Sequence, residues 1–328
     1  MLVEILACPR TKSPLVLRDE VLTSVEGATY AVSNGVPILT TSATPPEPHE
    51  GPLSVWSGYE PAIDFMLSSI PRSEPIVDLG SGNRDIDDPR IIRVDVTQTP
   101  HVDVVADAHD LPFKDNSIGA LYATAVFEHL HSPWIAAQEV WRVLKPGGYA
   151  LVDCNFVFPY HGYPAVYFNA SIEGMRRIFR DFTELEALVA PWQTPAFAVD
   201  AVLREYINLL RRDTAAAAPL IQAIDHVLSF PLKEFDREIA KDDAHRLAAA
   251  VSFIGLKQLH GNETIIPDSV MRAWHHDPTL GAKYPNPFAL IDFKNQRLDS
   301  LLHWSQSEGM ALDSISDHYR SLIEFRKA

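Results

Sequence analysis

Cysteine, long apolar runs and positive charge are all scarce in this chain. Cys8 and Cys154 are its two thiols, which excludes a disulfide framework; a reduced cytoplasmic protein is a simpler reading than a Cys8 to Cys154 bridge. No apolar run approaches the roughly 20 residues of a membrane span. Met1-Leu-Val-Glu-Ile-Leu6 also lacks the basic start and small-residue cleavage site of a signal peptide. Lys and Arg number 28 against 43 Asp and Glu, a net charge of −15, which speaks against gripping a nucleic-acid backbone. The densest basic cluster, Arg176-Arg-Ile-Phe-Arg180, has the spacing of an exposed helix face.

What is present is the composition of a globular protein, 46% hydrophobic and 22% charged. At 328 residues the chain suffices for two domains or for one large domain with additions. Ile76 to Leu79 is a short apolar strand. Gly80-Ser-Gly82 after it lets the backbone turn sharply and approach a ligand without Cβ clashes. Asp95 ends the next strand, Arg93-Val-Asp95, where a carboxylate can accept both hydroxyls of a ribose. Alone, a Gly-x-Gly turn is weak, and its bland reading is an ordinary strand-to-helix turn.

The downstream series decides for a nucleotide-cofactor site. Asp107-Ala-His-Asp-Leu-Pro-Phe113 precedes Asp115-Asn-Ser117 and the strand Ile118 to Tyr122, with Glu128-His-Leu130 beyond it. A helix over Trp134 to Leu144 leads into Lys145-Pro-Gly-Gly148 and the strand Tyr149 to Asp153. Together these motifs resemble the class I S-adenosylmethionine (SAM) methyltransferases of the methyltransferase type 11 branch. The resemblance is specific over about residues 73 to 155 and looser to about 257. It implies a Rossmann-like seven-stranded α/β sheet, mostly parallel with an antiparallel last strand, and SAM as cofactor. It also implies that Asp78, Gly80, Ser81 and Gly82 line the methionine and ribose side, that Asp95 takes the ribose, that Asp107 and Ala108 flank the adenine and that Ala125 faces the sulfonium.

The spacing departs from that pattern in two places. Asn83 to Ile92 is rich in Asp and contains Pro89, which predicts a missing or very short helix after the glycine turn. Thr97-Gln-Thr-Pro-His101 leaves no room for the next crossover helix either. One sheet face should be thinly covered, and the N-terminal segment is the nearest cover.

That segment, residues 1–40, alternates short apolar stretches with an Asn34-Gly35 turn and predicts a small β-rich module. Glu4-Ile-Leu-Ala-Cys-Pro9 and Tyr30-Ala-Val-Ser-Asn-Gly-Val-Pro37 resemble the Trm112-like module. Arg10-Thr11 stand where zinc-bearing relatives place a second cysteine, and one thiol makes no structural zinc site. The resemblance implies a built-in scaffold. Residues 41–53 read as a Pro-rich linker, the resemblance implies a methyltransferase domain over 54–258, and 259–328 read as a helical C-terminal extension. Within the domain, Val55 to Ile70 reads as a helix, Phe182 to Ala190 and Leu247 to Leu256 as strands, and Ala196 to Arg212 as a helix whose apolar face carries Val199, Val202, Leu203, Tyr206, Leu209 and Leu210. Ala215 to Asp242 reads as helical, a lid or a homo-oligomer surface.

Methyl transfer to oxygen needs a positioned acceptor and a base. His161, in the aromatic loop Asn155 to Pro164 after the fifth strand, is the first choice. His131, after the fourth, is the second; His129 reads equally well as a helix-start hydrogen-bonder. His275-His276-Asp277 reads as a surface loop, and no metal site is expected. The function so read is methyl transfer to an oxygen of a small molecule such as a sugar, glycan precursor or secondary metabolite. A methyltransferase for tRNA, rRNA or a translation factor, and a non-catalytic scaffold, are the alternatives.

Overall fold

The computed structural model describes residues 2–41, 66–67, 70–162, 165–190, 193–210 and 215–257. Most of the linker, most of the helix expected before Ile70, Tyr163, His275 to Asp277 and the C-terminal extension lie outside the described residues.

After a short helix α1 (Leu2–Ile5), four strands form an antiparallel meander: β1 (Leu15–Arg18), β2 (Val21–Ser24), β3 (Thr29–Ser33) and β4 (Val36–Leu39). The turn between β3 and β4 is the expected one. Asn34 and Gly35 have φ of 52° and 81°, and two successive positive φ values match the twist of a two-residue hairpin. β4 then pairs in parallel with β7 (Val104–Ala106), Ile38 opposite Val105. From there the sheet continues through β6 (Ile91–Asp95), β5 (Ile76–Leu79), β8 (Ile118–Thr124), β9 (Leu144–Asn155), β11 (Ala250–Leu256) and β10 (Thr183–Leu188). β11 runs antiparallel to both its neighbours, as expected. Among the described residues the anticipated seven strands are therefore a sheet of eleven, because the N-terminal meander joins it edge to edge.

The central strands are apolar without alternation because both faces are covered; every residue of β5 is buried. The chain leaves β5 toward β6 and β7 and returns to its other side with β8, so the strand order reverses between β5 and β8. Open α/β sheets bind ligands at the carboxyl end of such a reversal.

No helix intervenes between β5 and β6 or between β6 and β7, as the Asp and Pro content predicted. The N-terminal segment does not cover the face left thin. Its Leu6, Cys8, Leu15, Leu22 and Leu39 belong to the cluster that holds Val77, Leu121 and the helix α2 (Pro133–Val143). The opposite cluster, with Ile76, Ile91, Ala120 and Tyr122, contains none of them among the described residues; Met66, Ile70 and Ile86 pack there. The reason is hydrogen bonding. The main chain of Ala7 donates to Pro112 and that of Lys114 to Ile5, each at 2.9 Å, which fixes the segment along the Leu-Pro-Phe turn.

α2 buries Ala136, Ala137, Val140 and Val143 on one face, and each valine contributes about 1.5–3 kcal/mol. Both cysteines are free and buried, and Cys8 Sγ lies 3.1 Å from Tyr30 Oη. Beyond β9 come α3 (Ile172–Ile178), α4 (Pro195–Leu210) and α5 (Ala218–Leu228). On α3, Arg176 pairs with Glu184 at 2.8 Å on the surface, in keeping with a solvated basic face. α4 is helical as expected; on its apolar face Val202, Tyr206 and Leu209 are exposed, and Val199, Leu203 and Leu210 are half-buried.

Candidate functional site

The glycine turn is a built object. The main-chain N–H groups of Gly80 and Ser81 both donate to the Val94 carbonyl, at 2.8 and 3.1 Å, which folds the end of β5 against β6. Gly80 has φ of +66°, and a Cβ there would run into Val126 Cγ2. Gly82, at φ +55°, has nothing within 4 Å of where its Cβ would be. The first glycine thus permits close packing, and the second leaves open space beside the main chain.

Asp95 accepts from Gly82 N at Oδ2 and from Thr97 N at Oδ1, both at 2.9 Å. Each carboxylate oxygen keeps a further lone pair. Burial pushes this carboxyl up, and the main-chain hydrogen bonds oppose it. Asp78, 2% exposed, is pushed up to about 6, by burial first, with the Arg84 charge opposing and Asp95 adding to the rise. Arg84 Nε stands 3.2 Å from Asp78 Oδ2, and its guanidinium lies 5.1 Å over the Tyr122 ring. Nothing in the sequence singled out Arg84, since the helix that normally follows the turn is absent.

Asp107 caps a single 3-10 turn, Ala108–Asp110, accepting from His109 N at 2.9 Å and meeting His109 Nδ1 at 2.6 Å. Burial raises its carboxyl, yet the His109 hydrogen bonds outweigh that and hold it below the usual range. Ala108 is buried. Ala125, just past β8, is exposed with φ of +53°, a conformation alanine rarely adopts.

The two candidate catalytic histidines lie in different surroundings. His131 stacks on His109, ring centres 4.1 Å apart, and meets Tyr167 edge-on at 6.2 Å. His161 stands against Glu128, Nε2 to Oε1 3.7 Å, with Asn155 Nδ2 donating to that Oε1 at 2.6 Å. Glu128 raises the His161 imidazole above its ordinary value, and burial opposes this less strongly. His129 is the third member: one ligand atom from each of Glu128, His129 and His161 lies within 4.8 Å of the others.

Glu128 is wholly buried, and its Oε2 has no hydrogen-bond partner. Taking a carboxylate out of water costs several kcal/mol even after relaxation, on the order of twice what one hydrogen bond returns. Its charge calls for a cation or a protonated imidazole beside it. Behind it, burial first and the Glu128 charge second push the Cys154 thiol well up. Glu128-His129 was visible in the sequence as a motif, but its pairing with His161 was not.

On the outer side of the same loop, Phe156 to Pro159 and Asn169 face Val202, Glu205, Tyr206 and Leu209 of α4 across a cavity of about 430 Å³. The exposed Val202, Tyr206 and Leu209 of that helix therefore line this groove.

Residues 84–152 match the family model described as a methyltransferase domain. Over 102 residues the chain is 36% identical to demethylmenaquinone methyltransferase of Renibacterium salmoninarum, a match of 30% of this chain and 43% of that protein's length. Among solved structures it is similar to the Haloferax volcanii complex of the Trm112 methyltransferase activator with a methyltransferase, with 20% identity, a TM-score of 0.37, and coverage of 62% of this chain and 91% of that one. It is also similar to phosphoethanolamine N-methyltransferase 2 of Haemonchus contortus in complex with SAM, with 15% identity, a TM-score of 0.35, and coverage of 62% and 53%.

SAM is the cofactor that such a domain implies, and the residues fit it. Asp78, Ser81, Thr97 and Thr124 each bury a side-chain oxygen that has no hydrogen-bond partner, all at the carboxyl ends of β5, β6 and β8. Such a concentration of unsatisfied polar atoms is rare in a core and suits a polar ligand. No described helix is long and apolar enough to cross a membrane.

Proposed function

We propose that this protein is a SAM-dependent methyltransferase acting on an oxygen of a small acceptor, of the sugar, glycan-precursor or secondary-metabolite kind. The observation that carries the reading is the unsatisfied polar cluster around the glycine turn, with Asp95 holding that turn from below. Bound there, SAM supplies an electrophilic methyl group on its sulfonium. Asp95 takes the ribose hydroxyls with its remaining lone pairs. Asp78, Gly80, Ser81 and Gly82 line the methionine side, Asp107 and Ala108 flank the adenine, and Ala125 faces the reacting centre. The acceptor enters from the aromatic loop after β9 and loses its proton beside His161, which Glu128 backs at 3.7 Å; His131 is the second candidate.

Residues 1–40 act as a Trm112-like scaffold built into the chain, and the groove against α4 suits an acceptor with an apolar part. The acidic charge of −15 favours a small molecule over RNA. The test is calorimetric titration with SAM and S-adenosylhomocysteine, followed by a screen of sugars and phenols. Binding of both, then methyl transfer to one acceptor class, supports the reading; no binding of either points to a scaffold.

A further inference from the structure

Glu128 and His129 sit in the turn after β8, and His161 lies in the loop after β9, so the fold alone unites them. The 3.7 Å between Glu128 Oε1 and His161 Nε2 is close to the separation, about 3.4 Å, of two ligands on a tetrahedral centre with bonds of about 2.1 Å. Both imidazoles are fixed from behind. His129 Nδ1 faces the Ala165 carbonyl at 2.8 Å, and His161 Nδ1 faces that of Pro159 at 3.0 Å. A carbonyl can only accept, so each Nδ1 carries the hydrogen and each Nε2 of the neutral ring keeps its lone pair. Backbone carbonyls holding the far nitrogen in this way are the usual support of metal-bound histidines. The buried Glu128 Oε2, without a hydrogen-bond partner, is the second independent sign.

We propose that Glu128, His129 and His161 bind one divalent first-row cation, Zn²⁺ or Fe²⁺ in class, through two imidazoles and a carboxylate, with a position left open. Two histidines and one carboxylate form the donor set of open zinc and non-haem iron sites. Asn155 Nδ2 bonds Glu128 Oε1 and reaches His161 Nε2 at 3.2 Å; turned over, its amide offers Oδ1 as a further ligand. The cation's role rests on the methyltransferase reading, whereas the site does not. An acceptor hydroxyl takes the open position, its O–H bond breaks and the proton leaves to solvent. The oxygen's electron pair then forms the C–O bond as the sulfur–methyl bond breaks, and S-adenosylhomocysteine departs. The cation thereby does the work assigned above to the His161 imidazole.

The test uses the full chain stripped with EDTA and titrated with Co²⁺ and Zn²⁺ in the absence of SAM. One ion per chain is expected, with visible Co²⁺ bands, and affinity falling about tenfold or more in His129→Gln and in His161→Gln. Glu128→Gln, isosteric and buried, should do the same, with thermal melting used to check that each variant is folded. No stoichiometric ion in the wild type, or full Co²⁺ affinity in both histidine variants, overturns the site and assigns any bound ion to the other histidines. S-adenosylhomocysteine titrations run in parallel keep the two proposals apart. An ion bound without the nucleoside upholds the site and removes the methyltransferase reading; the nucleoside bound without an ion does the reverse.

Discussion

Asp95 Oδ2 accepts a hydrogen bond from the main chain of Gly82 at 2.9 Å, so the residue proposed to hold the ribose also holds the turn beside it. Asp95→Ala removes both functions. Two charge-assisted hydrogen bonds at about 1.5–3 kcal/mol each make SAM and S-adenosylhomocysteine bind about 100-fold more weakly or worse. Asp95→Asn keeps an acceptor and should fall between. Equal calorimetric affinities for wild type and Asp95→Ala would place the cofactor elsewhere.

Asp78 should make stability depend on pH in a direction unusual for a carboxylate. Its folded value, about 6, lies above the ordinary 3.8. Between those values the folded state holds a proton that the unfolded chain has released, so falling pH favours folding. The gain is complete below the unfolded value and lost as pH rises through about 6; in full it is about 3 kcal/mol. The melting temperature of the wild type relative to Asp78→Asn should rise as pH falls from 7 to 5. A constant difference over that range would contradict it.

Gly80→Ala combines two penalties, a side chain at φ +66° and a methyl group pressed on Val126. Together they cost about 2–4 kcal/mol in chemical denaturation. Adding Val126→Ala relieves the steric part and leaves the conformational part. Full recovery in the double variant would mean that the positive φ is not maintained.

Glu139 is an ionic joint between the N-terminal module and α2, accepting from Lys12 at 2.8 Å and Arg142 at 2.7 Å. Burial raises its carboxyl, but these hydrogen bonds outweigh it and hold it low. Glu139→Gln should cost about 1–3 kcal/mol at pH 7. For a lowered carboxyl the benefit is present above the unfolded value and lost as pH falls through the folded one, so the gap to wild type closes in acid. Urea titrations at pH 7 and below pH 4.5 read this directly.

Much of this was legible because it is local. The glycine turn, Asp95, the Asn34-Gly35 hairpin and the two missing helices are each written in a few adjacent residues whose backbone demands are specific. The eleven-stranded sheet was not legible, since the pairing of β4 with β7 joins segments far apart in sequence and leaves no periodic trace. Val202, Tyr206 and Leu209 belong to an apolar face legible from helical spacing, but that they line a groove depends on the loop opposite them. Glu128 and His129 stood out as a motif, but a cluster completed by His161 depends on where two loops end.

In the sheet, Ile38 lies opposite Val105, and Val105 opposite Asp95. The last strand of the N-terminal module and the carboxylate proposed to hold the ribose are thus rungs of one ladder, with a single strand between them. A module fastened this way braces the strand that carries Asp95. Cut it off and the three-residue strand Val104-Val-Ala106 becomes a bare, apolar edge, with unpaired main-chain groups ready to recruit another chain.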